Sequence, residues 1–540
     1  MYGSVLTWSD NQGTPTTPQS SVDVPALFRR LGLNTDSAIS GTYNGQWITS
    51  SSKDTLESYN PSTGDLLARV QVPTSEDVES TISAAKAAQL VLRKIPAPQR
   101  GHILRDIRTA LAEHVDDLGM LITLEMGKVK SEGRGEVVEF LDVADIALGL
   151  SRQIGGVVLP SERNKHFMTE VANPLGVVGV ISAFNFPIAV FGWNFSLAFI
   201  CGNASIWKPA ETTPLCAIAT TRIITSVLEK HNLPGALCSL LVDGGNVGAK
   251  LVEDPRVDLI SFTGSEARGR DVGMECAKKF KQTILELGGN NAGIVMADAN
   301  ISLALRNITF SALGTCGQRC TSNRRLFIQR PILESFTTSL VSAYESASKR
   351  IGLPEKEGTL IGPLHSARSV DAYLAAIEAV KAQGGRVLFG GRKLEESEYT
   401  DKAMRGGQWI LPTICQFDNA DVEIMKKETF APILYVVPFD TLEEGIALNN
   451  GVEQGLSSVL YTQDISALFQ WIGAEGSDCG IINVNGSTSG AEVGGRFGGN
   501  KSTGWGRESG GDAWKQYCRW ASVTVNWSNE VGLAQGVTFD

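Results

Sequence analysis

Short apolar runs alternate with amphipathic stretches from Val177 onward. The strand-like runs are 177–182, 204–207, 237–242, 259–262 and 283–287, and helix-like stretches separate them at 188–200, 214–231, 246–253 and 266–280. In the last stretch, Val272, Cys276 and Phe280 recur at helical spacing. Because strands that alternate with helices require right-handed crossovers, the pattern predicts a doubly wound parallel sheet covered on both faces.

A second alternation begins at Ala292. Its strand candidates include 293–296, 325–328 and 481–484, and its first helices are expected to end near 318 and 349. Upstream, residues 75–151 are expected to be helical apart from the run Ile95-Pro96-Ala97-Pro98. The chain is therefore predicted to be an α/β protein with two doubly wound domains, and a cleft between two domains commonly holds a binding site.

Composition narrows the classes of protein. A chain of 540 residues is too long for one core, and a net charge of −10 disfavours a nucleic-acid partner. The nine cysteines include no Cys-x-x-Cys pair and the five histidines are scattered, which favours reduced thiols, a cytoplasmic protein and no metal site.

Two segments could suggest targeting or membrane insertion. The first 28 residues contain no Lys or Arg and are rich in Ser, Thr and Pro, so we expect a disordered leader and not a signal. No charge occurs between Glu170 and Lys208, but Asn173, Pro174 and Pro187 would break a spanning helix. A buried strand followed by a buried helix is the expected structure, with no membrane partner.

Two polar runs carry candidate chemistry. Glu286 opens the run Glu-Leu-Gly-Gly-Asn-Asn, and Cys320 lies in Gly-Gln-Arg-Cys-Thr beside Arg319. A thiolate is the nucleophilic form of cysteine and a neighbouring guanidinium favours it, so Cys320 and Glu286 are candidates for nucleophile and base. The alternative is a buried structural thiol, because free cysteines are commonly buried in protein cores.

The dinucleotide fingerprint Gly-x-Gly-x-x-Gly is missing after the first strand. Arg270-Asp271 stands where a Walker-type loop needs Lys followed by Ser or Thr, which argues against an ATPase of that kind. Weaker nucleotide signals are Gly244 and Gly248 after one strand, and Ser265 at the start of a helix whose N-terminus could meet a pyrophosphate. Lys208 and Glu211 follow a third strand and could bind a ribose.

Taken together, these runs resemble the aldehyde dehydrogenase superfamily, and within it the antiquitin family, over nearly the whole chain from about Thr42. The matching runs are 95–101, 124–128, 159–163, 183–187, 286–291, 317–321, 428–432 and 504–514. The resemblance implies an aldehyde dehydrogenase fold with two doubly wound parallel-sheet domains and a small oligomerisation β-extension. The expected division is a leader and first helix at 1–41, an NAD-binding domain at 42–151 and 173–287, a catalytic domain at 288–500, and oligomerisation strands at 152–172 and 515–530.

The resemblance also implies roles for individual residues. Cys320 is expected to attack the aldehyde, Asn185 to hold the oxyanion, and Glu286 to activate the water that hydrolyses the thioester. The expected NAD-binding residues are Ser182, Lys208, Glu211, Gly244, Gly248, Ser265, Leu287, Glu428 and Phe430. Glu508 matches a family glutamate on a proton-exit route, although a solvated surface carboxylate is an equal reading.

A substrate with an amino acid head is implied by the same likeness. The residues expected to contact it are Glu125, Arg319, Phe186, Ser489, Gly490, Ala491 and Phe497. The predicted reaction is NAD-dependent oxidation of α-aminoadipic semialdehyde, or of its cyclic imine piperideine-6-carboxylate, by a homotetramer. The alternatives are a dehydrogenase of other small aldehydes, a cysteine acyl-transfer or hydrolytic enzyme that needs no nucleotide, and a catalytically silent scaffold.

Overall fold

A computed structural model describes residues 22–531 of the chain. Its α-helices are α1 (Val24–Arg30), α2 (Ser75–Leu92), α3 (Ala97–Glu113), α4 (Val115–Met126), α5 (Lys130–Leu150), α6 (Ala189–Ile200), α7 (Pro214–Lys230), α8 (Asn246–Glu253), α9 (Glu266–Ala277), α10 (Ile301–Leu313), α11 (Leu333–Ser348), α12 (Ala367–Ala382), α13 (Glu423–Lys426), α14 (Leu442–Asn450) and α15 (Ile465–Ile472). Its strands are β1 (Ile39–Ser40), β2 (Thr42–Tyr43), β3 (Thr55–Tyr59), β4 (Leu66–Gln71), β5 (Val158–Leu159), β6 (His166–Pro174), β7 (Val177–Ile181), β8 (Ala204–Lys208), β9 (Cys238–Leu241), β10 (Leu259–Thr263), β11 (Gln282–Glu286), β12 (Asn291–Val295), β13 (Asn323–Gln329), β14 (Arg386–Phe389), β15 (Thr413–Gln416), β16 (Ile433–Phe439), β17 (Gln454–Gly455), β18 (Ser457–Tyr461), β19 (Ile481–Val484), β20 (Arg496–Phe497), β21 (Asn500–Lys501), β22 (Glu508–Ser509) and β23 (Cys518–Asn526).

The first sheet has the order β11-β10-β7-β8-β9-β2. Neighbouring strands from β11 to β9 run parallel, and β2 joins the edge antiparallel. Because β8 and β9 extend the sheet on one side of β7 while β10 and β11 extend it on the other, the sheet is doubly wound. Every residue of β7 and β8 is buried, as a parallel sheet covered on both faces requires.

The second sheet has the order β14-β15-β16-β13-β12-β18-β19. All its neighbours are parallel except β14, which pairs antiparallel with β15 at one edge. The predicted α/β fold with two doubly wound sheets is confirmed. The predicted strand ends differ from the observed ones by at most two residues.

The ends of these two sheets place the candidate nucleophile and base. Glu286 is the last residue of β11 and pairs with Thr263 of β10. Cys320 follows α10 and a 3-10 turn at Gly314–Gly317, and it precedes β13. Glu286 therefore lies at the carboxyl end of its strand, where parallel sheets present functional side chains, whereas Cys320 lies in the loop before the amino end of β13.

The N-terminal helix α1 belongs to the first core, where Leu27 and Phe28 are buried. The predicted disorder of the first 28 residues is therefore wrong for 24–28, while residues 1–21 lie outside the described part of the chain. We propose the domain division predicted from the sequence, with α1 added to the first domain because of this packing.

The uncharged stretch from Glu170 to Lys208 forms the end of β6, then β7, α6 and β8. All residues of α6 are buried within the protein. Within residues 22–531, no helix combines the length and the apolar character that crossing a membrane demands.

A third sheet, with the order β23-β6-β5, is antiparallel and shares no strand with the two α/β sheets, although Cys518 at the start of β23 belongs to the first core. Strands β23 and β6 pair over nine residues, from Cys518 with Pro174 to Asn526 with His166. Apart from the last two residues of β6, 173–174, this sheet falls within the ranges predicted for oligomerisation strands, and Val158 on β5 is 68% exposed.

Candidate active site

One cavity of about 1140 Å³ is lined by residues of both α/β units. It brings together most of the residues predicted from the sequence: Asn185, Glu286 and Cys320 of the catalytic set, Ser182, Lys208, Glu211, Ser265, Leu287, Glu428 and Phe430 of the cofactor set, and Phe186, Arg319, Ser489, Ala491 and Phe497 of the substrate set. Glu125, Gly244, Gly248 and Gly490 are not among its lining residues.

The Cys320 thiol faces this cavity in a strongly desolvated setting. Burial raises the pKa of the thiol to about 12, and the carboxylates of Glu286 and Glu428 act in the same direction. The guanidinium that opposes this rise belongs to Arg324. The prediction that Arg319 activates the thiol is therefore wrong, because the Arg319 guanidinium is turned towards Glu132, at 3.0 Å. The thiol needs a base to release its proton.

Glu286 is suited to that task. Only 4% of its surface is exposed, and neither carboxylate oxygen has a hydrogen-bond partner among the described residues. Burial raises the pKa of the Glu286 carboxyl well above its ordinary value, and the Glu508 carboxylate adds to the rise while Arg507 opposes it. A buried carboxylate with unused acceptor capacity in a cleft is typical of a catalytic base.

Asn185 is fixed beside the nucleophile. Its Nδ2 donates to the carbonyl of Gln318 at 3.0 Å, two residues before Cys320 in the chain. An amide nitrogen has two protons, so one holds the side chain against the nucleophile loop and the second can be donated to an oxygen in the cavity. This is the geometry that an oxyanion-binding amide needs.

Arg324 connects the nucleophile loop to Glu428. Its guanidinium donates to the carbonyls of Gly317 and Arg319 at 3.1 and 3.0 Å, and to Glu428 Oε1 at 3.2 Å. Glu428 also accepts from the Gly289 N–H at 3.2 Å. The carboxylate is thereby oriented, with its second oxygen available to a ligand in the cavity.

The polar groups Lys208 and Glu211 lie at the ends of the first sheet. Burial lowers the pKa of the Lys208 ammonium, and the nearby carboxylates of Asp243 and Glu211 oppose this. A Cβ built on Gly244 would lie 3.4 Å from Glu211 Oε2, so Gly244 borders that carboxylate without lining the cavity itself. A side chain at 244 would crowd the Glu211 carboxylate.

The start of α9 opens onto the same cavity. Ser265 is the N-cap residue of this helix and its side chain makes no capping hydrogen bond. The first N–H groups of a helix attract anions such as phosphate. Leu287 packs so closely under α9 that a Cβ on Gly269 would lie 2.2 Å from its Cδ2. A Cβ built on Gly248 would lie 3.7 Å from Ile181 Cδ1, and Ile181 lines the cavity.

Ser182 is held in place by the indole of the neighbouring strand. Its Oγ accepts from Trp207 Nε1 at 2.8 Å. Phe430 packs edge-on against Phe184, with the ring centroids 6.0 Å apart, and the Arg324 guanidinium lies 5.2 Å from its centroid. These contacts fix two walls of the cavity.

Aromatic rings form another wall. Phe186 carries the Lys128 ammonium 3.4 Å from its ring centroid, and Lys128 forms a buried ion pair with Glu136 at 2.7 Å. Phe497 packs against Trp193 with centroids 5.1 Å apart. Both Phe186 and Phe497 also pack against a small apolar cluster, so they serve as wall and as core.

The loop after β19 closes the cavity near the nucleophile. Ser489 Oγ donates to the Thr321 carbonyl at 3.1 Å, which ties the loop to the residue after Cys320. The Gly490 N–H donates to the Ser487 carbonyl within the loop at 3.1 Å. Gly490 therefore shapes the turn, while its neighbours Ser489 and Ala491 present their surfaces to the cavity.

The structure does not bring Glu125 to the cavity, which corrects the predicted substrate contact. Glu125 is fully buried near the end of α4 and accepts from the Leu215 and Cys216 N–H groups, both at 2.8 Å, and from Ser58 Oγ at 2.7 Å. These N–H groups belong to the first turn of α7. Its carboxyl, whose pKa burial raises to about 7, therefore caps a helix.

The carboxylates that do reach the cavity lie on α5. Glu132, Glu136 and Glu139 share one face of this helix and all line the cavity. Burial raises the pKa of the Glu139 carboxyl to about 7, and the cations of Lys128 and Arg319 oppose this. Sequence reasoning missed Glu139, although the spacing of these residues at i, i+4 and i+7 places them on one face.

Glu508 is a buried member of the site and not a surface carboxylate. Its Oε1 accepts from Asn194 Nδ2 at 2.6 Å and from Ser261 Oγ at 3.0 Å, and it lines the cavity behind Glu286. Burial raises the pKa of its carboxyl to about 7. The solvated alternative is excluded by the 1% exposure of this residue.

Comparisons with known proteins agree with this site. The model of the aldehyde dehydrogenase family matches residues 47–523. The chain is 47% identical to α-aminoadipic semialdehyde dehydrogenase of Bos taurus over 514 residues, which cover 95% of this chain and 93% of that protein. It is 48% identical to aldehyde dehydrogenase family 7 member A1 of Pisum sativum over 513 residues, 95% of this chain and 98% of that one. The structure of betaine aldehyde dehydrogenase from Staphylococcus aureus in complex with NAD+ is similar, with a TM-score of 0.88 at 25% identity over 96% of this chain and 99% of that chain.

Proposed function

Because the chain belongs to the aldehyde dehydrogenase family and is an oxidoreductase of that class, we propose that its substrate is α-aminoadipic semialdehyde or the cyclic imine of that aldehyde. The product is α-aminoadipate. The observation that carries this proposal is the cavity itself, which combines the Cys320 nucleophile with a cation, Arg319, and an anion, Glu139. The relative from Bos taurus, whose name specifies this substrate, supports it.

The chemistry follows from three side chains. The Cys320 sulfur bonds to the aldehyde carbon while its proton passes to Glu286, which has free acceptor oxygens. The carbonyl oxygen becomes an oxyanion that the second Asn185 Nδ2 proton and the Cys320 N–H stabilise, each donor being worth about 3 kcal/mol in sites of this type. Glu286 then releases the thiol proton to solvent. After the carbon has lost a hydride, the ionised Glu286 takes a proton from water, the water oxygen bonds to the thioester carbon, and the carbon–sulfur bond breaks to return the Cys320 thiolate, which takes up a proton.

The residues at the other end of the cavity fit a dinucleotide cofactor. Ser265 would place the helix N-terminus of α9 at the pyrophosphate, Lys208 and Glu211 would hold the adenosine ribose, and Glu428 would hold the nicotinamide ribose. When bound, the nicotinamide supplies the hydride acceptor. The unused second oxygen of Glu428 and the uncapped N-terminus of α9 support this assignment.

NAD is the proposed form of this cofactor. A carboxylate at Glu211 accepts the protons of ribose hydroxyl groups and repels a 2′-phosphate. We expect Glu211→Gln to weaken the binding of NAD. The preference for NAD over NADP should decrease by about tenfold, equal to ~1.4 kcal/mol. An enzyme that already uses NADP as well as NAD would contradict the proposal.

The substrate head needs both signs of charge. An α-ammonium fits Glu139 and an α-carboxylate fits Arg319, because a guanidinium pairs with a carboxylate through parallel hydrogen bonds. Phe186 and Phe497 supply apolar surface for the methylene chain between head and aldehyde. The role first predicted for Glu125 therefore passes to Glu139.

The test compares α-aminoadipic semialdehyde with hexanal, which has six carbons and no charged head. The wild-type kcat/KM should be higher for the semialdehyde by about tenfold or more, and Glu139→Gln should lower only that value, by about tenfold. Glu139→Asp is the matched variant that keeps the charge. Equal turnover of both aldehydes by the wild type would leave a general aldehyde dehydrogenase as the function.

We further propose a homotetramer built through the antiparallel sheet of β5, β6 and β23. Exposed apolar side chains at Val158 and Trp527, 68% and 63% accessible, support association through this sheet. Sedimentation analysis checks the mass, and a monomer at micromolar concentration would contradict the proposal.

A further inference from the structure

The Glu132 carboxylate accepts hydrogen bonds from the loop that leads to the nucleophile. Its Oε1 accepts from the Thr315 N–H and from Arg319 Nη2, both at 3.0 Å, and its Oε2 accepts from Thr315 Oγ1 at 3.2 Å. Glu132 lies in the first turn of α5, in the first α/β unit, whereas Thr315 and Arg319 precede β13 of the second. One carboxylate therefore joins the two walls of the cavity.

The loop that Glu132 holds has an unusual backbone. Thr315 and Cys316 have φ of 53° and 52°, and Gly317 follows with φ of 68°. A β-branched residue rarely adopts the left-handed region, which typically costs about 1–3 kcal/mol. Such a conformation persists only where its surroundings fix it. Glu132 binds the N–H and the hydroxyl of Thr315, while Arg324 holds the Gly317 and Arg319 carbonyls next to Cys320 independently of Glu132.

Arg319 is fixed by the same group of contacts. Its Nε donates to Thr315 Oγ1 at 2.9 Å, its Nη2 donates to Glu132, and its guanidinium lies 5.3 Å from the ring centroid of Phe310. A guanidinium has five N–H donors, so the rest of its donors are available on the side that lines the cavity. The orientation of this cation is therefore set by Glu132 and Thr315 before a substrate binds.

We propose that Glu132 is a positioning residue that aims Arg319 at the carboxylate of the substrate head and thereby determines specificity for aldehydes that carry this group. The inference rests on the proposed function, because it assigns Arg319 a substrate carboxylate. Glu132 acts through Arg319 and has no part in bond making at Cys320.

Charge alone predicts the opposite effect. A carboxylate 3.0 Å from the guanidinium neutralises part of its charge and repels an incoming carboxylate, so its removal would strengthen binding if Arg319 kept its place. If orientation dominates, removal of Glu132 weakens binding, since a displaced guanidinium loses its paired hydrogen bonds. The sign of the effect separates these two accounts.

The experiment measures kcat and KM for α-aminoadipic semialdehyde and hexanal with Glu132→Ala and Glu132→Gln. Ser131→Ala is the matched control, because Ser131 is an exposed neighbour in the same turn of α5. The rate at which iodoacetamide alkylates Cys320 reports whether the nucleophile loop is intact. The same Glu132 change is also made in an Arg319→Ala background.

We expect Glu132→Ala to raise KM for the semialdehyde by about tenfold and to change kcat/KM for hexanal and the alkylation rate by less than about threefold. Glu132→Gln keeps one acceptor oxygen, so its KM for the semialdehyde should lie between the values of the wild type and Glu132→Ala. In the Arg319→Ala background the Glu132 change should have no further effect on the semialdehyde.

Equal losses for both aldehydes, or slower alkylation of Cys320 to the same degree, would overturn the inference and assign Glu132 a role in the fold of the loop. A lower KM for the semialdehyde would overturn it in favour of charge neutralisation. In both cases the wild-type preference for the semialdehyde would still stand, so the proposed function would survive. A wild type without that preference would remove the proposed function and this inference together.

Discussion

The guanidinium of Arg324 lies 3.2 Å from the carboxylate of Glu428, and the Arg324 side chain is only 2% exposed. The same guanidinium donates to the Arg319 carbonyl, one residue before the nucleophile, and it lowers the pKa of the Cys320 thiol against the effect of burial. A single buried cation therefore connects a proposed cofactor ligand with the nucleophile.

Replacement of Arg324 by Gln should slow the alkylation of Cys320 and weaken the binding of the cofactor. Loss of the cation leaves only the Thr321 N–H to oppose burial and the carboxylates of Glu286 and Glu428, so the thiol pKa rises. We expect the alkylation rate of Cys320 by iodoacetamide at fixed pH to fall by about tenfold, which is one pKa unit or ~1.4 kcal/mol. KM for NAD should rise because Glu428 loses one of its two donors.

Arg324→Lys is the matched control for this prediction. It keeps the charge but cannot reach the carbonyls of Gly317 and Arg319 as well as Glu428. The alkylation rate of Cys320 should therefore stay closer to the wild-type rate in the Lys variant than in the Gln variant, while KM for NAD rises in both. Equal alkylation rates in all three proteins would show that Arg324 has no electrostatic role.

Much of the fold could be predicted because its signals are local. The apolar run 177–182 and its successors became β7 to β11 within one or two residues, since strands buried on both faces are continuously apolar. The convergence of Glu286 and Cys320 could also be expected, because Glu286 ends the first domain and Cys320 lies in an early loop of the second, so both are predicted to face the cleft between them.

What the sequence could not supply is the direction of each side chain. Glu125 and Glu139 are both glutamates on neighbouring helices, but only three-dimensional packing turns Glu125 towards α7 and Glu139 towards the cavity. In the same way Arg319 and Arg324 both flank Cys320 in the chain, and the contact of Arg319 with Glu132 leaves Arg324 as the cation that acts on the thiol. Spacing on α5 was the one usable signal for Glu139.

Glu125→Ala should destabilise the protein without changing its choice of aldehyde. The substitution leaves the N–H groups of Leu215 and Cys216 buried without an acceptor, at a typical cost of about 1–3 kcal/mol each. We expect a lower midpoint of urea unfolding, with the ratio of kcat/KM for α-aminoadipic semialdehyde and hexanal unchanged. Glu125→Gln keeps one acceptor oxygen, so its midpoint of urea unfolding should decrease less. A changed ratio at unchanged stability would restore Glu125 to the substrate site.

Glu286→Gln should separate hydride transfer from hydrolysis. The amide cannot take a proton from water, so the thioester on Cys320 should persist after the first turnover. Mixing the variant with aldehyde and NAD should therefore give a burst of NADH that does not exceed the concentration of sites, followed by turnover slower by about 100-fold or more. Mass spectrometry of Cys320 detects the acyl group. Because Glu286 is also the proposed acceptor of the Cys320 proton, the burst should be slower than the first turnover of the wild type, and a burst at the wild-type rate would contradict that first role.

Glu508 should make the protein less stable as pH rises. Burial raises the pKa of its carboxyl from an ordinary 4.5 to about 7, so the folded protein holds a proton that the unfolded chain releases. The stabilising effect of that proton is complete below pH 4.5 and is lost as pH increases through about 7, by at most ~1.4 kcal/mol for each pH unit. Glu508→Gln stays neutral and keeps an oxygen acceptor for Asn194 or Ser261, so its advantage over wild type in urea unfolding should grow from pH 5 to pH 8. Glu253→Gln, an exposed change of the same charge, is the control and should show a constant difference. An advantage of Glu508→Gln that shrinks with increasing pH would mean that the buried carboxyl is ionised in the folded protein.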